Sequence, residues 1–369
     1  MDSTGAGLIR PLAKADIPAV ASMFWRMFKP KNQTVSPAAE AYLESLYLNP
    51  DSRDKDIISQ VFIGDNGVLN GFIGSLPLRM SIQGRTLRAA ICGPLMVEHH
   101  ASDPLAGARL LRTFLAGPQD LSLSETANET SRLMWTRLRG VVLPSYSLEW
   151  VKIFRPAGFA ADFAMRYTPL ARSLKPLAAP LDRLAGNWSR GHLQEQGGLR
   201  ATSDEATDFP TLMELVPSFL QHYDLRPDWT GDELRSVLNA AITKSSYGEL
   251  HSRIVRSGSG TALGAYLYHG GSGRVARILQ IFARRGQEDA VLDRLLSHAA
   301  QSGAVAVRAR IQPNLMAAMM VRKGMFFQRS STVLHARDEA VLGAFAAGNA
   351  FFNGLAGEAW NRLNGDDFR

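Results

Sequence analysis

Four residues have side chains and settings suited to moving a proton. Glu98 follows directly on an apolar segment, Glu125 ends the next one, and Glu149 lies on a third together with Tyr146. A carboxylate at the edge of apolar surroundings can take up a proton near neutral pH, and a phenol can give one. No short-range motif joins the four, and a solvated or ion-paired side chain is the ordinary alternative for each. Tyr146 and Glu149 stand three positions apart, which on a strand puts them on opposite faces unless a bulge intervenes. His99-His100 offers metal-ligating atoms, but neighbouring positions suit one ion poorly and no third ligand is indicated. No metal is assigned.

The elements that must position these residues come in two similar sets. Leu8-Ile9-Arg10-Pro11 followed by Asp16-Ile17-Pro18 is echoed by Leu199-Arg200-Ala201 followed by Asp208-Phe209-Pro210. Each reads as a short strand, a polar turn, and a helix capped by Asp with Pro in its first turn. Strand candidates Gln60–Ile63 and Asn70–Leu76, joined through Gly64-Asp65-Asn66-Gly67, match His251–Val255 and Ala262–Tyr268, joined through Ser257-Gly258-Ser259-Gly260. A strand over 87–97 and a helix over 105–115 match a strand over 275–283 and a helix over 288–300. Strands 121–124 and 304–310 follow, then helices from Asn128 and Asn314 ending at Gly140 and Gly324. A final strand closes each set, over 146–154 and over 327–335. The pattern predicts a mixed α/β chain of two duplicated domains, over 1–168 and 198–338, each with the same strand order. Between them, 169–197 reads as a Pro-interrupted amphipathic linker, and 339–369 as a helical extension packed on the domains or a partner subunit, leaving a homodimer open.

Composition sets outer limits. Of 369 residues, 46% are apolar and 20% charged, enough for two cores. The net charge of +7 favours anionic partners in general, but the basic residues are scattered, which argues against a nucleic-acid surface. Cys92 is the only cysteine and reads as a buried, inert thiol, so no disulfide forms within the chain. No secretion signal or bilayer-length apolar run is evident, and the expectation is a cytoplasmic protein.

The repeated order of strand, helices, meander, then strand–helix–strand–helix–strand resembles the GNAT (Gcn5-related N-acetyltransferase) fold. The resemblance covers both halves and implies two GNAT-like acyltransferase domains in tandem, with acetyl-CoA or another acyl-CoA as co-substrate. In that family a splayed central strand pairs its backbone with the pantetheine arm, which implies Leu95, Met96 and Val97 here. The loop and helix that follow hold the pyrophosphate, which implies Gly107, Ala108 and Arg109; Ser102 and Leu105 replace the usual basic and glycine positions. In the second copy, Arg284-Arg285-Gly286 occupies the corresponding loop. The family's Asn at the next helix start corresponds to Asn128, with capping as its local alternative. The tyrosine that often protonates the departing thiolate is replaced by Trp135, which has no proton to give.

The resemblance implies an N-acyltransferase acting on a primary amine, on an amino sugar or other small metabolite. Glu149 with Tyr146 is then the first choice for the catalytic pair, and Glu98 and Glu125 are the other carboxylates near the splayed strand. Two alternatives stand beside it. Two decayed domains could form a non-catalytic acyl-CoA-binding or scaffold protein, or the scaffold could use aminoacyl-tRNA as donor.

Overall fold

A computed structural model describes residues 7–30, 33–48, 54–98, 103–164 and 201–368 of the chain. The first half opens with β1 (Leu8–Pro11), α1 (Ile17–Phe28) and α2 (Pro37–Leu48). A meander follows, β2 (Gln60–Ile63), β3 (Leu69–Ile82) and β4 (Arg85–Val97), then α3 (Ala106–Leu115), β5 (Leu121–Ala127) and α4 (Glu129–Arg137). It ends with β6 (Val141–Val142), the one-turn α5 (Pro144–Ser147), β7 (Leu148–Ile153) and α6 (Pro156–Ala164). The second half opens with β8 (Thr202–Ala206), α7 (Phe209–Leu220), β9 (Leu225–Pro227) and α8 (Gly231–Ile242). Its meander is β10 (Glu249–Ser257), β11 (Ala262–Gly270) and β12 (Val275–Ala283), followed by α9 (Glu288–Gln301), β13 (Ala306–Arg310) and α10 (Met316–Val321). β14 (Met325–Gln328), β15 (Ser331–Ala336) and α11 (Glu339–Ala346) complete it. The linker expected over 169–197 lies outside the described residues.

Local chemistry explains the helix starts. Pro18 and Pro210 sit in the first turns of α1 and α7, where a missing N–H costs nothing. Asp208 accepts from the Thr211 N–H at 3.0 Å and caps α7 as its position predicts. Asp16 departs from that expectation. Its two oxygens take the Arg10 guanidinium at 2.6 and 2.8 Å, and one also accepts from the Ala13 N–H at 2.8 Å. This ion pair pins β1 to the helix start and holds the Asp16 carboxyl below the usual range.

The strands run β1-β2-β3-β4-β5-β15-β6 in one sheet, with β9 added beside β3, and β8-β10-β11-β12-β13-β7-β14 in the other. In each sheet the parallel pair is central, β4 with β5 and β12 with β13, and the neighbours are antiparallel. The two orders match position for position, except that the sixth strand comes from the opposite half of the chain. Each half was therefore not free to complete its own sheet, contrary to the sequence expectation. Trp150 and Phe154, on and just after β7, are buried with Tyr266, Leu292 and Val307, while Val333 on β15 is buried with Ile73, Phe114 and Trp135. The largest core also joins both halves, packing Leu46 and Phe72 with Leu212, Phe282 and Phe351.

Two expected elements differ. The segment 146–154 starts as helix α5 rather than strand, so Tyr146 and Glu149 are not on opposite faces of one strand. The C-terminal region forms one short α-helix, α11, and then a strap over 347–368 that is buried from Ala350 to Gly357 and holds a single 3-10 turn, Gly354–Ala356. Lysines hold the strap by its carbonyls. Lys29 Nζ donates to Leu363 O at 3.2 Å and Asp366 O at 2.9 Å, and Lys244 Nζ donates to Asn361 O and Asn364 O at 2.6 Å each. Burial pulls the Lys244 ammonium down to about 7 against the opposing charge of Asp366. Among the described residues, no helix is long and apolar enough to cross a membrane.

Candidate active site

Both central strand pairs open into wedges. β4 pairs with β5 from Ala89 to Ile91, opposite Leu121 to Leu123. Beyond that, Cys92–Val97 stay bonded to β3 on one side while β5 runs on to Ala127. Leu95, Met96 and Val97 thus form one wall of the first wedge. The register between β3 and β4 shifts here, with Gly93 and Pro94 of β4 opposite the single Gly74 of β3, and a Cβ on Gly74 would collide with the Gly93 carbonyl. Tyr47 donates its hydroxyl to that carbonyl at 2.8 Å, which fixes the wall's conformation.

The strap delivers a carboxylate into this wedge. Glu358 Oε1 accepts from the Glu125 N–H at 2.7 Å and from Ser124 Oγ at 3.3 Å, while Oε2 accepts from Thr126 Oγ1 at 2.7 Å. The Glu358 N–H in turn donates to Glu125 Oε2 at 2.7 Å. A Cβ at Gly93 would touch the Glu358 carboxyl at 3.4 Å, so the carboxylate spans from β5 to β4. Arg310 Nε stands 3.5 Å from Glu125 Oε1. Burial lifts the Glu125 carboxyl to about 7; the Arg310 charge opposes the rise and the Glu358 charge adds to it. Glu358 is also raised by burial, against the hydrogen bonds it accepts. Burial raises the proton affinity of both carboxyls, and Glu125 can exchange a proton with a neighbouring group near neutral pH.

The other expected residues fall elsewhere. Glu98, at the end of β4, is bound by Arg26 through two bonds of 2.8 Å. Glu149 faces the second sheet, where Arg308 Nε donates to it at 2.6 Å. Tyr146 is fully buried; its hydroxyl donates to Ala350 O at 2.9 Å and accepts from the Ala350 N–H at 3.2 Å. Burial raises that phenol, so it holds its proton and anchors the strap. The structure brings Glu125 alone of the four into the wedge. Trp135 is core, edge-on to Phe114 at 6.2 Å. Cys92 is buried, and burial raises its thiol.

On the flanking helices, Gly107 has room for a Cβ, whose nearest neighbour would be Met134 Sδ at 3.4 Å. Ala108 beside it is half-buried. Arg109 pairs with Asp103 and lies 5.0 Å above the Phe62 ring, which neutralises an aspartate that would otherwise repel phosphate. Asn128 caps α4 by accepting from the Ser131 N–H at 2.9 Å. His99, His100 and Ser102 lie outside the described residues. No group of three or more metal-ligating side chains occurs among the described residues.

The second wedge is closed by the chain itself. Beyond the pairing of Val275–Arg277 with Ala306–Arg308, the Gln312 side chain donates to Ile281 O at 2.9 Å and accepts from the Ile281 N–H at 3.2 Å. The Leu355 N–H donates to Gln280 Oε1 at 2.8 Å, and Asn353 Nδ2 to Ile311 O at 2.7 Å. Arg284 is committed to Ala262 O at 2.8 Å.

Glu358, Gln312 and Arg310 were not singled out from sequence. Glu358 meets Glu125 across 233 positions of chain, and nothing in its neighbourhood signals the contact.

Solved structures with the same fold include the following three proteins. One is a conserved protein of unknown function from Enterococcus faecalis V583, described as a probable N-acyltransferase (10% identity, TM-score 0.58, 90% of this chain and 73% of that one). The others are GCN5-related N-acetyltransferases from Anabaena variabilis ATCC 29413 (10%, 0.59, 90% and 74%) and Kribbella flavida (12%, 0.54, 92% and 74%). At such identities the likeness establishes a mixed α/β, GNAT-like fold. No protein-family model and no curated protein matches the chain.

Proposed function

We propose that the chain is an acyl-CoA-dependent N-acyltransferase whose reaction takes place in the first wedge, with a primary amine on an amino sugar or other small metabolite as acceptor. The observation that carries this reading is the Glu125–Glu358 carboxyl pair against the unpaired wall of β4. Backbone groups of Leu95, Met96 and Val97 would hold the pantetheine arm, and amides near Gly107 and Ala108 the pyrophosphate, with Arg109 and Asn128 shaping that end. The amine gives its proton to the carboxyl pair as its nitrogen attacks the thioester carbon. The carbon–nitrogen bond forms, the carbon–sulfur bond breaks, and the thiolate leaves without needing a strong acid. Glu98, Glu149 and Tyr146, each committed to a structural partner, are not assigned this step.

The test is release of CoA thiol from acetyl-CoA with a panel of primary amines. Glu125→Gln and Glu358→Gln should each lower turnover by about tenfold to a hundredfold or more while CoA affinity stays near wild type. Wild-type rates in both variants would remove the pair from the chemistry.

A second reading follows from the filled second wedge: that domain is non-catalytic and serves as a support for the strap. If the whole protein binds acyl-CoA without ever releasing thiol, the non-catalytic reading extends to both domains.

A further inference from the structure

Glu125 and Arg310 hold equivalent places in the two sheets. The parallel pairing of β4 with β5 ends at Leu123, and that of β12 with β13 ends at Arg308. Two residues further on, where each wedge opens, the first sheet carries Glu125 and the second Arg310. The two positions meet, with Arg310 Nε 3.5 Å from Glu125 Oε1. The duplicated site has thus acquired opposite charges in its two copies, and each faces the other.

Arg310 does not depend on that carboxylate for its place. Its Nη2 donates to the Glu125 main-chain carbonyl and to Ser330 Oγ at 2.9 Å, and its Nη1 reaches Ser147 O at 3.5 Å. Neutral acceptors from β5, α5 and the turn before β15 therefore fix a nearly buried cation, while its Nε–H makes no hydrogen bond. A buried donor left unpaired is costly unless a partner takes it at some stage of the protein's work. The acceptor within reach is Glu125 Oε1. Around the same carboxyls, the strap contributes Glu358 and the N–H groups of Glu358 and Gly354, which bond the Glu125 carboxyl. β4 contributes the Cys92 thiol, and β5 contributes Ser124 and Thr126, which bond Glu358. Glu358 accepts at both oxygens, as an ionised carboxylate does, so the exchangeable proton of the pair belongs on Glu125.

We propose that Arg310 is a positioning residue for acyl transfer: its Nε–H closes on Glu125 Oε1 once that oxygen has lost its proton, and holds the pair ready to receive the proton of the amine. The O–H bond of Glu125 breaks, its proton passes to water, and an N–H···O bond takes its place. The attacking amine later returns a proton to the same carboxyl. A fixed guanidinium favours the ionised form of a carboxyl beside it, and burial magnifies that effect. The second half of the chain, whose own wedge is filled, thereby supplies the charge on which the first wedge works. The proposal rests on the acyltransferase reading, but the coupling of Arg310 to Glu125 is measurable without turnover.

The test is a pH titration of the full chain by NMR, with carbon-13 in its glutamate carboxyls and Glu125→Gln identifying the Glu125 signal. Arg310→Gln should raise the Glu125 midpoint by about one pH unit or more. Arg310→Met, which fills the same space, should do likewise and serves if the amide variant does not fold. Arg310→Lys keeps the cation and should recover about half of the shift or more. The acid limb of thiol release from acetyl-CoA should move with the Glu125 midpoint, while KM for acetyl-CoA stays within about twofold of wild type. An arginine that only packs would lower the Tm and leave both midpoints in place. A Glu125 midpoint unmoved in the Gln and Met variants, or moved as far by Lys as by Gln, would overturn the proposal. If the midpoints shift as stated but the wild-type protein releases no thiol with any amine, the acyltransferase reading fails by itself and the coupling of Arg310 to Glu125 stands.

Discussion

Glu125 combines two properties rarely found together on a carboxyl: deep burial and a partner of the same charge. Between its ordinary value of 4.5 and about 7, the folded protein keeps a proton that the unfolded chain has released. The stability linked to that proton is complete below the lower value and is lost as pH rises through about 7. We expect the melting temperature to fall across that window, and Glu125→Gln to flatten the fall; an unchanged slope would place the proton elsewhere. Neighbouring glycines can be ranked the same way. A Cβ on Gly357 would collide with Glu125 Oε2, so Gly357→Ala should cost about 1–3 kcal/mol and most of the turnover. Gly107→Ala meets only ordinary contacts and should leave stability unchanged when both variants are melted side by side. Of the candidate site, the β4 wall was implied by the family resemblance, and Glu125 is marked in sequence as the carboxylate that ends an apolar segment. Glu358 was not, since a single glutamate in an irregular segment carries no periodic signal.

The strap is the element on which the site depends. It lacks a regular hydrogen-bond ladder of its own, and side chains from both halves satisfy its carbonyls, chiefly Lys29 and Lys244. Lys244→Met keeps the apolar stem and removes two donors from buried carbonyls. Amide hydrogen exchange over 353–366 should then rise, and thiol release should fall because Glu358 is no longer held in the wedge. If exchange in the strap matched wild type, the lysine would be no latch. The sequence suggested helix for this region because Phe345, Phe351, Phe352 and Trp360 are apolar enough for one. Tertiary burial won instead: these rings fill a core made by both halves, and the backbone follows them.

At the scale of the whole molecule, the exchanged strands make the two sheets interdependent. A fragment ending at residue 168 lacks β15, and one starting at 198 lacks β7, so each leaves a gap where a buried strand belongs. We expect neither fragment to fold alone, both to assemble on mixing, and the intact chain to melt in one transition. Trp150→Ala, which empties the fully buried position β7 supplies to the second sheet, should cost about 3–5 kcal/mol and lower that single transition. Two separate transitions, or an independently folded first fragment, would count against this interdependence.

The sequence alone marked most of the strands, several of the helices and their repeated order, because strand alternation, helix caps and turn glycines are written within a few residues of where they act. It also determined that the central strand should end in a carboxylate, Glu98, and its neighbour in another, Glu125. Only the tertiary structure decided which sheet receives β7 and which receives β15. Duplication gives each of those strands two nearly equivalent slots, and the alternation of Trp150 or Val333 fits a core in either. Only tertiary structure, too, decided that Tyr146 anchors while Glu358 enters the wedge, because those roles rest on contacts between segments more than 200 positions apart.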